Sequence, residues 1–293
     1  MGIRYLNGYI KRTCPDALRE VGLEELKNKK VVIDTSIYMY RFASDSYLVE
    51  GMYQMAITLR NHGVVPVFVF DGIPPPEKLP LLNKRREEKR KAELELITVA
   101  KNEDISEHSN YAEIVERKRK CVKLRKMDIE KIKNLLTLCG VTWYQATGEA
   151  DELCAKLVIK NRAWACMSED MDMFVYGCPR VLRYFKLFYG TCMLYDTFAI
   201  LKSLNLSIRE FREICVASGT DYNLNKSKSF NLYSAIECYS MYKNQYFKNR
   251  TNFYDWLENY DEFPNDACQL YLAELVFDIS NVSITSFDAF PIC

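Results

Sequence analysis

Two pairs of carboxylates, Glu149 with Asp151 and Asp170 with Asp172, lie within one stretch, YQATGEADELCAKLVIKNRAWACMSEDMDMFVYG, from Tyr144 to Gly177. The first pair opens an amphipathic helix, because Ala150, Leu153, Cys154, Leu157 and Val158 recur at helical spacing. Residues two apart in a regular helix point about 200° from each other, so Glu149 and Asp151 converge only at the helix start. The second pair follows the apolar run Ala163 to Met167, which reads as a buried strand ending at Ser168. Acids just past the carboxyl end of a strand in an open α/β sheet sit where such folds bind ligands. Either pair alone reads equally well as acids favoured by a helix dipole or as a charged turn. Both in one strand-helix unit point to a hard-cation site.

The rest of the chain repeats the pattern of strand followed by acid. Lys30-Val-Val-Ile-Asp34 is a buried strand ending in a carboxylate; Thr35 and Ser36 are placed to cap the helix after it, which carries Tyr40. A second helix, from about Tyr47 to Asn61, ends at Gly63, and Val64 to Phe70 forms another strand followed by Asp71. Strand, helix, strand with long crossovers predicts a parallel sheet. Residues 1–28 read as a short helix, then Pro15 and a polar turn. Further strands are expected at Val141 to Tyr144, Val181 to Phe185 and Cys192 to Tyr195, with helices from Thr197 and after Ser207. Asp221 follows Gly219 at a helix end, a turn able to aim a carboxylate inward.

Charge is distributed unevenly. The net value is +1, yet residues 77–126 hold fifteen Lys or Arg against ten acids, and residues 222–293 hold five against nine. A helix beginning near Lys78 clusters Lys84, Arg85, Arg86, Lys89, Arg90 and Lys91. A second, from about Ala112 to Cys139, begins with Arg117 to Lys126, seven basic residues and no acid, and ends in a core-facing stripe. Two basic helices above a sheet predict a gripping arm for nucleic acid, the alternatives being a solvated face or a nuclear-localisation patch. The eleven cysteines form no closely spaced pair, and His62 and His108 are the only histidines, which disfavours a zinc site and fits a reducing compartment. No apolar run reaches membrane-span length and no signal peptide opens the chain, so an intracellular protein, nuclear or cytoplasmic, is expected.

Asp34, Asp71, Glu149, Asp151, Asp170, Asp172 and Asp221 cannot share a cleft as bare anions, because repulsion and desolvation would raise their pKa values. With oxygen ligands only, Mg²⁺ is the expected occupant, with Mn²⁺ able to substitute.

The motifs MGIRYL, VVIDTSIYMYRF, VFVFDGIPPP, GEADELCAKL, MSEDMDMFVYG and ASGTDY, in this order over residues 1–222, resemble the flap endonuclease (XPG/Rad2-type) family of structure-specific 5′ nucleases. The resemblance implies a PIN-like α/β nuclease core, a mostly parallel sheet flanked by helices, over residues 1–222. A basic helical arch would occupy about 77–139, and a degenerate helix-hairpin-like, helical region 223–293. It implies that the seven acids hold two Mg²⁺ ions, with Asp151 standing where Glu is usual. Lys78 and Arg85 would contact the scissile phosphate, Tyr40 would stack on a base, and Gly2 would lie near the active site against DNA. Lys84, Arg86, Arg117, Lys118, Arg119 and Lys120 are the further expected DNA contacts, with Lys226 and Lys228 beyond the core. The partner implied is DNA with a flap, nick or junction; a 5′ exonuclease, a PIN-like ribonuclease and a non-catalytic nucleic-acid-binding homologue are the alternatives. Two departures stand out. No glycine follows Tyr222, where the family has a glycine-rich hairpin turn, and QLYLAELVF lacks the paired aromatics of a sliding-clamp box. Compact relatives without that box occur in large DNA viruses, an origin consistent with the resemblance.

Overall fold

The apolar runs Lys30–Asp34 (β2) and Val65–Phe70 (β3) pair in parallel, Lys30 against Val65 and Asp34 against Val69. Their side chains alternate between two apolar layers, which is why both strands read as continuous hydrophobic runs. Val32, Val67 and Val69 face one layer; Val31, Ile33, Phe68 and Phe70 face the other. The computed structural model describes residues 2–101, 121–223, 230–249, 251–260, 263 and 266–282. Its sheet has seven strands in the order β1-β7-β6-β5-β2-β3-β4, the others being Leu18–Gly22 (β1), Thr142–Gln145 (β4), Ala165–Met167 (β5), Arg180–Lys186 (β6) and Thr191–Asp196 (β7). The five strands from β6 to β4 are mutually parallel, and β7 and β1 add antiparallel pairings at one edge. The fold is therefore the mostly parallel sheet flanked by helices that the alternating pattern predicts.

Helices Thr35–Ser44 (α2), Leu48–Asn61 (α3) and Lys126–Leu138 (α5) cover one face through Tyr38, Met39, Met55, Leu59, Ile132 and Leu136. Leu6–Thr13 (α1) and Ala150–Ile159 (α6) cover the other with Leu6, Ile10, Leu153 and Leu157. Ile208–Ser218 (α9) packs against Leu232–Asn249 (α10) and Ala267–Val276 (α12), and its Phe211 and Ile214 share a core with Leu232, Ala235 and Leu270. The remaining helices are Leu79–Lys101 (α4), Asp172–Val175 (α7), Thr197–Leu204 (α8) and Phe253–Glu258 (α11). Among the described residues no helix is long and apolar enough to cross a membrane.

Three local expectations are corrected. β1 replaces the polar turn expected before residue 28; it is an edge strand whose partner lies at Thr191–Asp196, too far along the chain to leave a local signal. The helix expected from about Ala112 does not run unbroken to Cys139. Residues 122–125 are irregular, and α5 starts at Lys126 because the Asp128 carboxylate reaches back to accept from the Arg125 N–H at 2.9 Å. Thr35 and Ser36 do not cap α2. Asp34 occupies the N-cap position without a side-chain cap bond, leaving its carboxylate available for the cleft.

Candidate metal centre

Parallel register brings the carboxyl ends of β2, β3 and β5 to one edge, and the acids follow from that. Asp34 ends β2, Asp71 follows β3, Asp170 lies on the turn after β5 and Asp172 opens α7. Glu149 is the extended N-cap residue of α6 and Asp151 its second residue, so the pair converges at the helix start as the sequence requires. Asp221 is presented by a turn that Thr220 and Asn223 close. The Thr220 N–H donates to Asn223 Oδ1 at 3.1 Å, and the Asn223 amide donates to the Val216 carbonyl at 2.8 Å.

Asp34, Glu149, Asp151, Asp170 and Asp172 are buried, Asp221 is half-buried and Asp71 is exposed. Burial first, then Asp71 and Asp170, push the Asp34 carboxyl well above the usual range. Burial and then Glu149 do the same to Asp151, and burial raises Asp170. Burial, Asp170 and Asp221 raise Asp172 strongly. An anion cluster of this kind binds either protons or cations.

The molecule supplies part of the compensation itself. Lys78 Nζ donates to both oxygens of Glu149 at 2.6 and 2.7 Å, and Arg85 Nη2 donates to Asp221 Oδ2 at 2.8 Å. Burial opposes the Lys78 ammonium, but Asp151 and Glu149 outweigh it and raise its pKa. Asp71 accepts from Ser36 Oγ and, at 2.9 Å, from the Ala150 N–H. Among the described residues no three His, Cys, Asp or Glu side chains stand together as a ready coordination set. The donor chemistry nevertheless fits a hard cation. Asp172 Oδ1 is buried with no hydrogen-bond partner, an orphan expected to find one. Gly2, at φ +74°, approaches the pair so closely that an added Cβ would collide with Asp170 Oδ1 and Asp172 Oδ1.

Of the DNA contacts expected from the sequence, Tyr40 is exposed on α2 with Lys89 Nζ 5.0 Å above its ring. Lys84 and Arg86 are exposed on α4, on the same helix as Arg85. Arg117, Lys118, Arg119, Lys120, Lys226 and Lys228 lie outside the described residues. Several supporting residues escaped sequence reasoning. Ser168 Oγ donates to Asp34 Oδ2 at 3.0 Å and accepts from the Asp170 N–H at 3.1 Å, joining the two strand ends. Arg183 is buried on β6 and donates to the Glu169 carbonyl at 2.8 Å and to Asn7 Oδ1 at 2.7 Å, bracing the acid-bearing turn. A Ser at a strand end was a usable signal; Arg183 had none, because its partners are far away in sequence.

Against known proteins, the model of the XPG N-terminal domain matches residues 1–92 and that of the XPG I-region residues 140–221. Flap endonuclease 1 of Eremothecium gossypii is 31% identical over 242 residues, covering 76% of this chain and 61% of its own length. That of Methanococcus aeolicus is 28% identical over 264 residues, covering 84% and 77%. The chain thus spans less than two thirds of the first of these relatives. Among solved structures, flap endonuclease-1 from Methanococcus jannaschii superposes with a TM-score of 0.55 at 26% identity, covering 85% of this chain and 82% of its own. The catalytic core of Rad2 in complex with DNA substrate gives 0.62 at 24% identity, covering 94% and 78%, a likeness of fold. The XPG N-terminal match contains Asp34, Asp71, Lys78 and Arg85, the XPG I-region match contains Glu149, Asp151, Asp170, Asp172 and Asp221, and the chain belongs to the XPG/Rad2-type family of flap endonucleases.

Proposed function

We propose that this chain is a divalent-metal-dependent, structure-specific 5′ nuclease that hydrolyses DNA phosphodiesters near single-strand/duplex junctions, leaving a 5′-phosphate and a 3′-hydroxyl. The observation that supports the reading is the set of acids that follow β2, β3 and β5, open α6 or follow α9 and act on one another electrostatically, with Lys78 paired to Glu149 and Arg85 to Asp221. The DNA substrate of the Rad2 catalytic core supports DNA as the ligand here.

In this reading Asp34, Asp71, Glu149, Asp151, Asp170, Asp172 and Asp221 hold two Mg²⁺ ions, or Mn²⁺ in their place. Bound metal of this kind supplies an activated water and charge stabilisation at the leaving oxygen. The chain's own residues do the rest. Lys78 and Arg85 turn from Glu149 and Asp221 to the scissile phosphate and stabilise charge that develops there. Tyr40 stacks on a substrate base, Lys84 and Arg86 contact backbone phosphates, and Gly2 lets the chain pass between the acids and the DNA. The basic run from Arg117 to Lys120 grips the single strand, and Lys226 and Lys228 meet the duplex. Residues 1–222 form the nuclease core, with the arch at about 77–139, and 223–293 its helical extension. The protein acts inside the cell, in nucleus or cytoplasm, where DNA is replicated or repaired.

The test is a panel of end-labelled flaps, nicks, gaps, bubbles, four-way junctions and RNA analogues, incubated with Mg²⁺, Mn²⁺ or chelator. Metal-dependent cuts near the junction in DNA are expected. Cleavage of RNA alone, or cleavage that survives chelation, would overturn the reading.

A further inference from the structure

Besides Lys78, Glu149 has a second partner, and it leads to the end of α12. The Tyr222 hydroxyl donates to Glu149 Oε2 at 2.8 Å and lies 3.0 Å from the Tyr176 hydroxyl. The Tyr222 ring is buried and meets Phe277 edge-on, with centroids 5.3 Å apart and planes at 84°. Phe277, fully buried at the end of α12, also packs 5.0 Å from the Tyr176 ring.

The chain just beyond Phe277 is tied to the same helix that Glu149 opens. Lys156 lies about two turns into α6. It is buried, and its Nζ donates to the carbonyls of Ile279 and Ser280 at 2.7 and 2.6 Å. A buried ammonium requires such acceptors, so the attachment is strongly specified. Segment 277–282 therefore touches α6 directly at Lys156 and, through Tyr222, at its first carboxylate.

We propose that segment 277–282 is a positioning element of the catalytic site: Phe277 fixes Tyr222, and the Tyr222 hydroxyl aims the Glu149 carboxylate. Lys78 contacts both Glu149 oxygens, whereas Tyr222 contacts only Oε2, so the hydroxyl selects one orientation of the carboxylate. The inference rests on Glu149 being a metal-holding acid.

Tyr222→Phe, Phe277→Ala and Glu149→Gln in the full chain test it with two readouts. One is Mn²⁺ affinity of the DNA-free protein by electron paramagnetic resonance; the other is the single-turnover rate on the DNA structure cut best. Tyr222→Phe and Phe277→Ala should each weaken Mn²⁺ binding and slow cleavage by about 10- to 100-fold, the range for partners that orient a metal ligand. DNA affinity should stay unchanged, which a general loss of structure would not allow. If Phe277→Ala fails to fold, Tyr222→Phe still decides the matter, since it deletes a single oxygen. Wild-type Mn²⁺ affinity and rate in Tyr222→Phe, beside a Glu149→Gln variant that loses both, would overturn the positioning role. A Glu149→Gln variant unchanged in both readouts would overturn the metal reading itself, and this inference with it.

Discussion

A single ammonium, that of Lys78, has two opposed duties. In the DNA-free protein it neutralises Glu149; in the proposed reaction it would serve the phosphate. Lys78→Met should therefore lower the single-turnover rate by about 2–4 kcal/mol of transition-state stabilisation, the range for one preorganised donor. The same variant should bind Mn²⁺ more tightly than the wild type, because Glu149 loses its internal competitor. Rapid-quench cleavage beside a metal titration checks both, and a change confined to DNA affinity would reduce Lys78 to an ordinary phosphate contact. The acids should behave in the opposite way. Asp172→Ala or Asp34→Ala is expected to abolish turnover and leave junction binding intact in an electrophoretic shift assay; full activity in Mg²⁺ would contradict the two-metal assignment.

At the scale of elements, α4 carries the basic side chains across the cleft. It is tied down by Arg85 to Asp221, by Lys89 over Tyr40 and by Lys89 Nζ donating to the Val122 carbonyl at 3.0 Å. The run that follows it in sequence contributes charge without acids, so its affinity should be electrostatic. Neutralising Arg117, Lys118, Arg119 and Lys120 should weaken binding of a 5′ single strand. The log–log dependence on salt should flatten by about 0.7 for each single-strand phosphate that is no longer neutralised. Fluorescence anisotropy over a salt series measures this, and an unchanged slope would leave the run as a solvated face.

For the molecule as a whole, the buried acids link stability to pH. Asp34, Asp151, Asp170 and Asp172 have folded pKa values above the ordinary aspartate value of 3.8. Each binds its proton more tightly when folded, so its contribution to stability is full below the unfolded value and is lost as pH rises through the folded one. The metal-free protein should accordingly lose melting temperature as pH rises above the ordinary aspartate range, more steeply than Asp34→Asn does. Saturating Mg²⁺ should restore it; calorimetry across that range is the measurement. The other whole-molecule expectation concerns duplex length. The sequence has no glycine after Tyr222 for the hairpin turn that the family resemblance implies, and Lys226 and Lys228 are the only basic residues close to it in sequence. Shortening the downstream duplex should cost this protein less affinity than it costs relatives with that turn. Footprints reaching a full helical turn into the duplex would contradict this.

The parallel sheet and the carboxylates that follow its strands were legible in the order of the residues. Strand period, helix period and the position of an acid after an apolar run are local properties, readable at Asp34, Asp71 and Glu149. The basic character of α4 was legible for the same reason. Which side chains answer those acids became visible only in the folded chain. Lys78 meets Glu149 across 71 positions, Arg85 meets Asp221 across 136, and Lys156 meets Ile279 across 123. Folding also turned residues 18–22 into a strand, because an edge strand with mixed burial acquires its pattern only from its partner, β7. Periodicity records how a segment meets the core, whereas a hydrogen bond or ion pair between distant segments depends on where the chain returns, and no local pattern encodes that return.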